Sequence, residues 1–270
     1  MVPTFSVIGA MKGGTSSLHR YLFMHPEVTM TKRKECNFFI PVKKGNYDKG
    51  FDWYRELFET EAMAYGDVSP EYSKRHRYGD DTPRLLHEAN PDVRLIYILR
   101  DPIARFVSGY IHNMSKGWIR RPFDEFVRSE QAKPHLLTSC YHYQLEPYLH
   151  HFSLDQFLFP TSESLKQSTS AVLQEIFRFI GVPPFESEKF EQRYHVSAGK
   201  TRPSVLEERV ESPRVRRLLA PLLPDSVAAR RLIERPEVSD ADRTVLAERL
   251  GPEVEKLRAL TGLPFAEWSL

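Results

Sequence analysis

The sequence predicts an α/β fold: a parallel β-sheet flanked by helices on both faces, followed by a helical C-terminal extension. Three observations carry this expectation. Strand-like and helix-like segments alternate from the start of the chain through Gly181, the pattern of a parallel sheet built from crossover units. Residues 94–99 (Arg-Leu-Ile-Tyr-Ile-Leu) form a nearly continuous apolar run, as a strand covered on both faces requires. From about residue 204 to 262 the chain turns Arg-, Glu- and Leu-rich with helical periodicity and no convincing strand. Residues 1–270 thus read as one domain, with residues 1–203 as the α/β core and 204–270 as helices packed on it.

The elements follow in order. Residues 5–9 are a short β-rich run ending in glycine, and a helix spans about 15–24 with Leu18, Tyr21 and Leu22 on one face. His25-Pro26 stops that helix, because the residue before proline avoids the α region. Residues 51–58 read as a short helix and 64–68 as a second strand. Thr82-Pro83 reads as a helix start, a capping hydroxyl before a proline. Asp101-Pro102 repeats that signal after the apolar strand. Ile103, Phe106, Val107, Tyr110 and Ile111 then follow at the spacing of a buried helix face. Helices are expected over 139–152 and 168–180, on either side of a short strand at 156–159, with Gly181 as a left-handed helix end. Pro213, Pro221, Pro224, Pro236 and Pro252 are expected to break the last stretch into pieces.

Composition narrows the class. Lys plus Arg total 38 against 36 for Asp plus Glu, and that balance argues against a dedicated nucleic-acid binder. Two cysteines make no disulfide framework, so a reducing compartment is expected. No apolar run reaches the length of a membrane span, and the N-terminus lacks a signal peptide's basic start and apolar stretch. These features imply a cytoplasmic protein without stable membrane insertion, either complete or trimmed to a catalytic domain.

Two segments carry chemistry. Gly9-Ala10-Met11-Lys12-Gly13-Gly14-Thr15-Ser16-Ser17 joins a strand to a helix through a glycine turn. A helix N-terminus offers unpaired N–H groups and partial positive charge to an anion. Gly13 and Gly14 let the backbone wrap closely around it, Thr15, Ser16 and Ser17 add hydroxyl donors, and Lys12 adds a full charge. In the ATPase loop the lysine follows the last glycine, whereas here it precedes the pair. The competing reading of this segment is a tight turn with a solvated lysine. The second segment places Arg100 at the carboxyl end of a parallel strand, the edge where open α/β sheets bind ligands. Arg100 can hold a phosphate in fork geometry, and Ser108, two turns along the next helix, can meet the same group. Arg105 reads equally as a helix-surface residue or a ligand. His135, His142, His150 and His151 lack a metal-ligand pattern and read as polar helix-face residues. Trp53 reads as core or cleft wall.

Together these segments resemble the sulfotransferases that use 3′-phosphoadenosine 5′-phosphosulfate (PAPS), most of all the heparan sulfate glucosaminyl sulfotransferases and their bacterial relatives. Further motifs in the same order extend the resemblance: His25-Pro26-Glu27-Val28, Lys34-Glu35-Cys36-Asn37-Phe38-Phe39, Gly66-Asp67-Val68-Ser69-Pro70 and Gly199-Lys200-Thr201-Arg202. The resemblance implies a phosphate-loop-type sheet, PAPS as donor with 3′,5′-ADP as product, and no metal. It implies that Lys12 to Ser17 hold the 5′-phosphosulfate, that Arg100 and Ser108 contact the 3′-phosphate, and that Gly199, Lys200 and Arg202 belong to a loop closing over that phosphate. It places the general base on Glu35, with Lys12 stabilising the leaving phosphate. The acceptor implied is a hydroxyl of a carbohydrate or glycolipid; a polyketide or other natural-product hydroxyl is the alternative. A phosphate-loop kinase or NTPase is the alternative of a different class, and a non-catalytic anion-binding protein is another. Asn37, Ile40 and Val68 depart from the animal glycan enzymes, which carry histidine, an acidic residue and lysine there. Those departures put the acceptor in doubt and leave the donor site intact.

Overall fold

The computed structural model describes residues 2–41, 45–191, 199–210, 212, 215, 218–224 and 229–270. Five strands form one sheet: β1 (Phe5–Gly9), β2 (Val28–Met30), β3 (Ala64–Val68), β4 (Arg94–Tyr97) and β5 (Phe157–Leu158), in the order β2-β3-β1-β4-β5. Every pairing is parallel. The alternation of side chains along β1 explains why the sheet needs cover on both faces. Phe5 and Val7 pack with Leu18, Leu22, Ile96 and Phe177 on one side. Ile8 joins Phe38, Leu95, Tyr97 and Tyr141 on the other. β1 is buried at all five residues and sits at the centre of the sheet.

The structure corrects several expectations. β2 has no signature in the sequence, since three residues are too few to show a period of two. The regular strand at 94–99 ends at Tyr97, and Leu99 pairs only as a single bridge with Thr161. The helix expected to start at Thr82 runs Asp81–Ala89, so Thr82 and Pro83 lie inside its first turn. There the proline's missing N–H has no helical partner to lose. The expected helix over 139–152 is divided into Lys133–Ser139, Tyr141–Leu145 and a 3₁₀ turn at Tyr148–His150, because Cys140 leaves the helical region at ψ 76°. The C-terminal part is not purely helical: β6 (Thr201–Arg202) pairs antiparallel with β7 (Arg231–Leu232).

Pro252 does not break its helix, which runs Asp240–Thr261. A proline in a helix interior forfeits a hydrogen bond and is tolerated where tertiary burial compensates. Here Leu246, Leu250, Val254 and Leu257 form a buried stripe at helical spacing, packed against helices Pro102–Ser115, Phe123–Val127 and Tyr141–Leu145. Pro213 lies outside the described residues.

Helix Pro102–Ser115 begins as the sequence implies: Asp101 accepts a hydrogen bond from the Ala104 N–H at 2.7 Å, with Pro102 at the first helical position. The second Asp101 oxygen accepts from the Ser269 N–H at 2.6 Å, fastening the C-terminus to the sheet edge. Arg105 is not a surface residue. It is 1 % exposed and donates to the Ser139 hydroxyl and the His135 carbonyl, so it braces this helix against Lys133–Ser139. Asp101→Ala removes both anchors and is expected to lower stability by about 2 kcal/mol in urea titration. A loss below about 0.5 kcal/mol would show that water replaces both bonds.

Candidate active site

β1 and β4 are neighbours in the sheet. β1 leads by way of the first helix to β2 at one edge, and β4 leads to β5 at the other. The crevice between their carboxyl ends is therefore a topological switch point, where open α/β sheets bind ligands. The loop after β1 is pinned there by the Ala10 N–H, which donates to the Ile98 carbonyl at 2.8 Å. It then tightens through the Gly13 N–H to the Ala10 carbonyl at 2.8 Å. A side chain at residue 13 would place its Cβ 2.5 Å from the Ile98 carbonyl oxygen, so only glycine fits. Gly14 caps the first helix, Thr15–Phe23, at φ 114°, and Lys12 stands at φ 71°. No side chain caps that helix and no acidic residue occupies its first turn, which leaves its positive end for an anion.

A cavity of about 1580 Å³ opens over this crevice. Of the residues singled out from sequence, Lys12, Gly14, Thr15, Ser16, Ser17, Glu35, Arg100, Ser108, Gly199 and Lys200 line it. Gly13 is buried beneath the loop, and Arg202 is exposed on β6, outside the lining. Arg100 also reaches the loop, its Nη1 donating to the Lys12 carbonyl oxygen at 3.5 Å. Burial, then the charge of Lys200 and a contact with it, and then Arg100 and Arg105, lower the Lys12 ammonium to about 8. Burial also lowers the Arg100 guanidinium, with Glu163 opposing. The Arg100 Nε, Ser108 Oγ and Ser162 Oγ atoms are buried and have no hydrogen-bond partner among the described residues. Buried polar atoms are almost always paired, so three orphans on one cavity wall mark where a ligand's acceptor atoms belong.

Sequence reasoning missed several lining residues. Ser162 lines the cavity from the start of the helix after β5, at the strand end next to β4. The signal was present in Thr161, whose side chain accepts from the Ser164 N–H at 3.0 Å as a helix cap. His112 lies one turn beyond Ser108 on the same helix face. Burial, then Lys12 and Lys200, lower its imidazole to about 4, so it is neutral at pH 7.

Glu35 reaches the cavity from the segment beside β3. Its N–H donates to the Val68 carbonyl at 2.9 Å, its backbone stands at φ 60°, and its carboxylate pairs with Lys34. The next acid on this side, Glu71, pairs with the buried Lys74. Burial pushes the Glu71 carboxyl up, but the Lys74 charge and hydrogen bonds from Lys74 and Tyr78 leave it below its ordinary value. Of the three departures, Ile40 and Val68 are buried in the hydrophobic clusters on opposite faces of the sheet, and Asn37 stands at φ 51°. Cys36 is buried with its thiol pushed well up by burial and Asp67, the opposite of the shift that activates a thiolate nucleophile. Among the described residues no group of three or more His, Cys, Asp or Glu side chains is placed to hold a metal ion. No helix among them is long and apolar enough to cross a membrane.

The chain is similar to known proteins. The chain is 30% identical over 200 residues to the bifunctional heparan sulfate N-deacetylase/N-sulfotransferase 4 of Mus musculus, covering 68% of this chain and 23% of that protein. It is 29% identical over 195 residues to heparan sulfate glucosamine 3-O-sulfotransferase 3B1 of Mus musculus, covering 70% and 48%. The match therefore spans about a quarter of the first relative's length and about half of the second's. A sulfotransferase from Alicyclobacillus acidocaldarius has the same fold, with a TM-score of 0.68 over 100% of both chains at 22% identity. Residues 3–216 match the family described as Sulfotransferase domain. The chain belongs to that family.

Proposed function

We propose that the chain moves the sulfuryl group of PAPS to a carbohydrate hydroxyl by in-line displacement, releasing 3′,5′-ADP. The observation that carries the donor is the convergence at the switch point of Lys12 with Arg100 and Ser108, whose buried Nε and Oγ have no hydrogen-bond partner among the described residues. An anion at the loop and a second anion beside Arg100 suit a nucleotide with phosphate at both 5′ and 3′ positions. The carbohydrate is supported by the heparan sulfate relatives, whose names specify that class of acceptor.

Sulfuryl transfer resembles phosphoryl transfer in placing the incoming and leaving oxygens in line, with charge spread over the peripheral oxygens. The loop N–H groups and the Thr15, Ser16 and Ser17 hydroxyls hold the 5′-phosphosulfate. Lys12 stabilises the phosphate oxygen as the sulfur–oxygen bond breaks, an electrostatic contribution of the kind that usually dominates. Arg100 and Ser108 hold the 3′-phosphate, and Gly199 and Lys200 close over it. Glu35 takes the proton of the acceptor hydroxyl. The new carbon–oxygen–sulfur linkage forms as the phosphosulfate bond breaks, and 3′,5′-ADP leaves.

Three measurements test this reading. Affinity for 3′,5′-ADP is expected to fall as pH rises through about 8, where unliganded Lys12 loses its proton. Calorimetric titration of Lys12→Met should show weaker binding without that step; an unaltered profile would remove Lys12 from the phosphate site. Arg100→Ala should weaken 3′,5′-ADP by about 10–100-fold and leave 5′-AMP nearly unchanged. Equal losses for the two nucleotides would refute the 3′-phosphate assignment. Glu35→Gln should keep 3′,5′-ADP binding and lower kcat by about 10²–10⁴-fold. Undiminished turnover would show that another group takes the proton.

A further inference from the structure

The segment carrying Glu35 is held in a backbone conformation that its sequence does not favour. Glu35 stands at φ 60° and Asn37 at φ 51°, two non-glycine residues in the left-handed region on either side of Cys36. At Glu35 this costs on the order of 1–2 kcal/mol and at the more tolerant Asn37 less, and such geometry persists only where the surroundings over-determine it.

The surroundings converge on one carboxylate. Asp67, at the carboxyl end of β3, is fully buried, and no salt bridge to it occurs among the described residues. Its Oδ2 accepts from the Tyr72 hydroxyl at 2.6 Å and from the Cys36 thiol and Tyr54 hydroxyl at 3.4 Å each. Its Oδ1 accepts from the Ser69 hydroxyl at 3.0 Å. Two of these donors are relays. The Ser69 oxygen accepts from the Asn37 N–H at 3.2 Å, and the Tyr72 oxygen accepts from the Phe39 N–H at 3.3 Å.

A hydroxyl has one hydrogen to direct. An acceptor-only carboxylate draws the Ser69 and Tyr72 hydrogens toward itself, and the lone pairs turn to the backbone N–H groups of the loop. Burial pushes the Asp67 carboxyl above its ordinary value, and the hydrogen bonds from Tyr72, Ser69, Cys36 and Tyr54 oppose that. A hydrophobic residue here would escape that desolvation. An apolar side chain, however, would leave both relays without direction.

We propose that Asp67 is the positioning residue of the Glu35 loop: through Ser69 and Tyr72 it fixes the N–H groups of Asn37 and Phe39 and thereby aims Glu35 into the cavity. This deepens the reading of Glu35 as the base and rests on it. An asparagine at 67 matches the shape but turns one acceptor into a donor, so one relay hydroxyl loses its target.

The test reads the loop directly. In hydrogen exchange of Asp67→Asn, at least one of the Asn37 and Phe39 amides should exchange about tenfold faster or more, while amides 13–18 and the affinity for 3′,5′-ADP stay within about twofold. Tyr72→Phe removes only one relay, so Phe39 should lose protection and Asn37 keep it. With PAPS and chemically desulfated heparan sulfate, Asp67→Asn should lower kcat with the KM for PAPS unchanged, and add nothing to Glu35→Gln. Wild-type protection of both amides in Asp67→Asn, or parallel loss at Asn37 in Tyr72→Phe, would overturn the proposal. So would a fall in 3′,5′-ADP affinity matching the fall in kcat, which marks general damage to the fold. Full turnover in Glu35→Gln would instead sink the base assignment, and the exchange result would still decide the role of Asp67.

Discussion

The site depends on how closely the loop after β1 can lie against the end of β4. The Ile98 carbonyl accepts the Ala10 N–H, and the same oxygen leaves room for no side chain at residue 13. That contact puts the loop within reach of the next strand's Arg100, whose Nη1 approaches the Lys12 carbonyl. Move the loop outward by a methyl group and two strand ends no longer share one anion site. Gly14 adds the second requirement, since a helix that starts at φ 114° would strain any residue with a Cβ.

Such packing gathers like charges. Burial lowers the proton affinity of Lys12, Arg100 and Arg105, and the charges of Arg100 and Arg105 lower Lys12 further. Arg105 has hydroxyl and carbonyl acceptors but no carboxylate among the described residues. An arrangement of this kind is unfavourable alone and becomes favourable when an anion enters. Stability is withheld from the free protein and returned in the complex, the usual trade at a functional site. It also explains why Glu163 stays 4.0 Å from Arg100 Nε: a closer carboxylate would fill the place of the ligand.

How much of this was legible in sequence follows from how local each feature is. The phosphate loop, the Asp101-Pro102 cap and the apolar face from Ile103 to Ile111 depend on neighbours a few residues away, and the sequence displays them. Arg105 does not read as buried, because its acceptors are 30 and 34 residues off at His135 and Ser139. Ser162 becomes a site residue only when β5 takes its place next to β4. Asp67 is a modest letter in a five-residue motif until Cys36, Tyr54 and Tyr72 close around it. β2 and β7 exist because partners pair with them, since two or three residues carry no periodicity of their own.

Sheet order bears on the chemistry as well. In-line displacement needs the base and the stabiliser of the leaving group on opposite sides of the sulfur. Lys12 follows β1, while the Glu35 segment hangs from the Val68 carbonyl at the end of β3, the strand beside β1 on the side away from β4. Adjacent strands are about 4.8 Å apart, a spacing set by backbone hydrogen bonds and not by side chains. The two proposed catalytic groups are therefore indexed to one sheet by a step that substitution cannot easily change. What can vary is the loop between Val68 and the cavity. In this chain Ile40 and Val68 are turned into the core, which takes both positions away from the cavity. On the proposed reading, donor recognition is tied to the β1–β4 crevice, and acceptor choice to a segment held by one buried carboxylate.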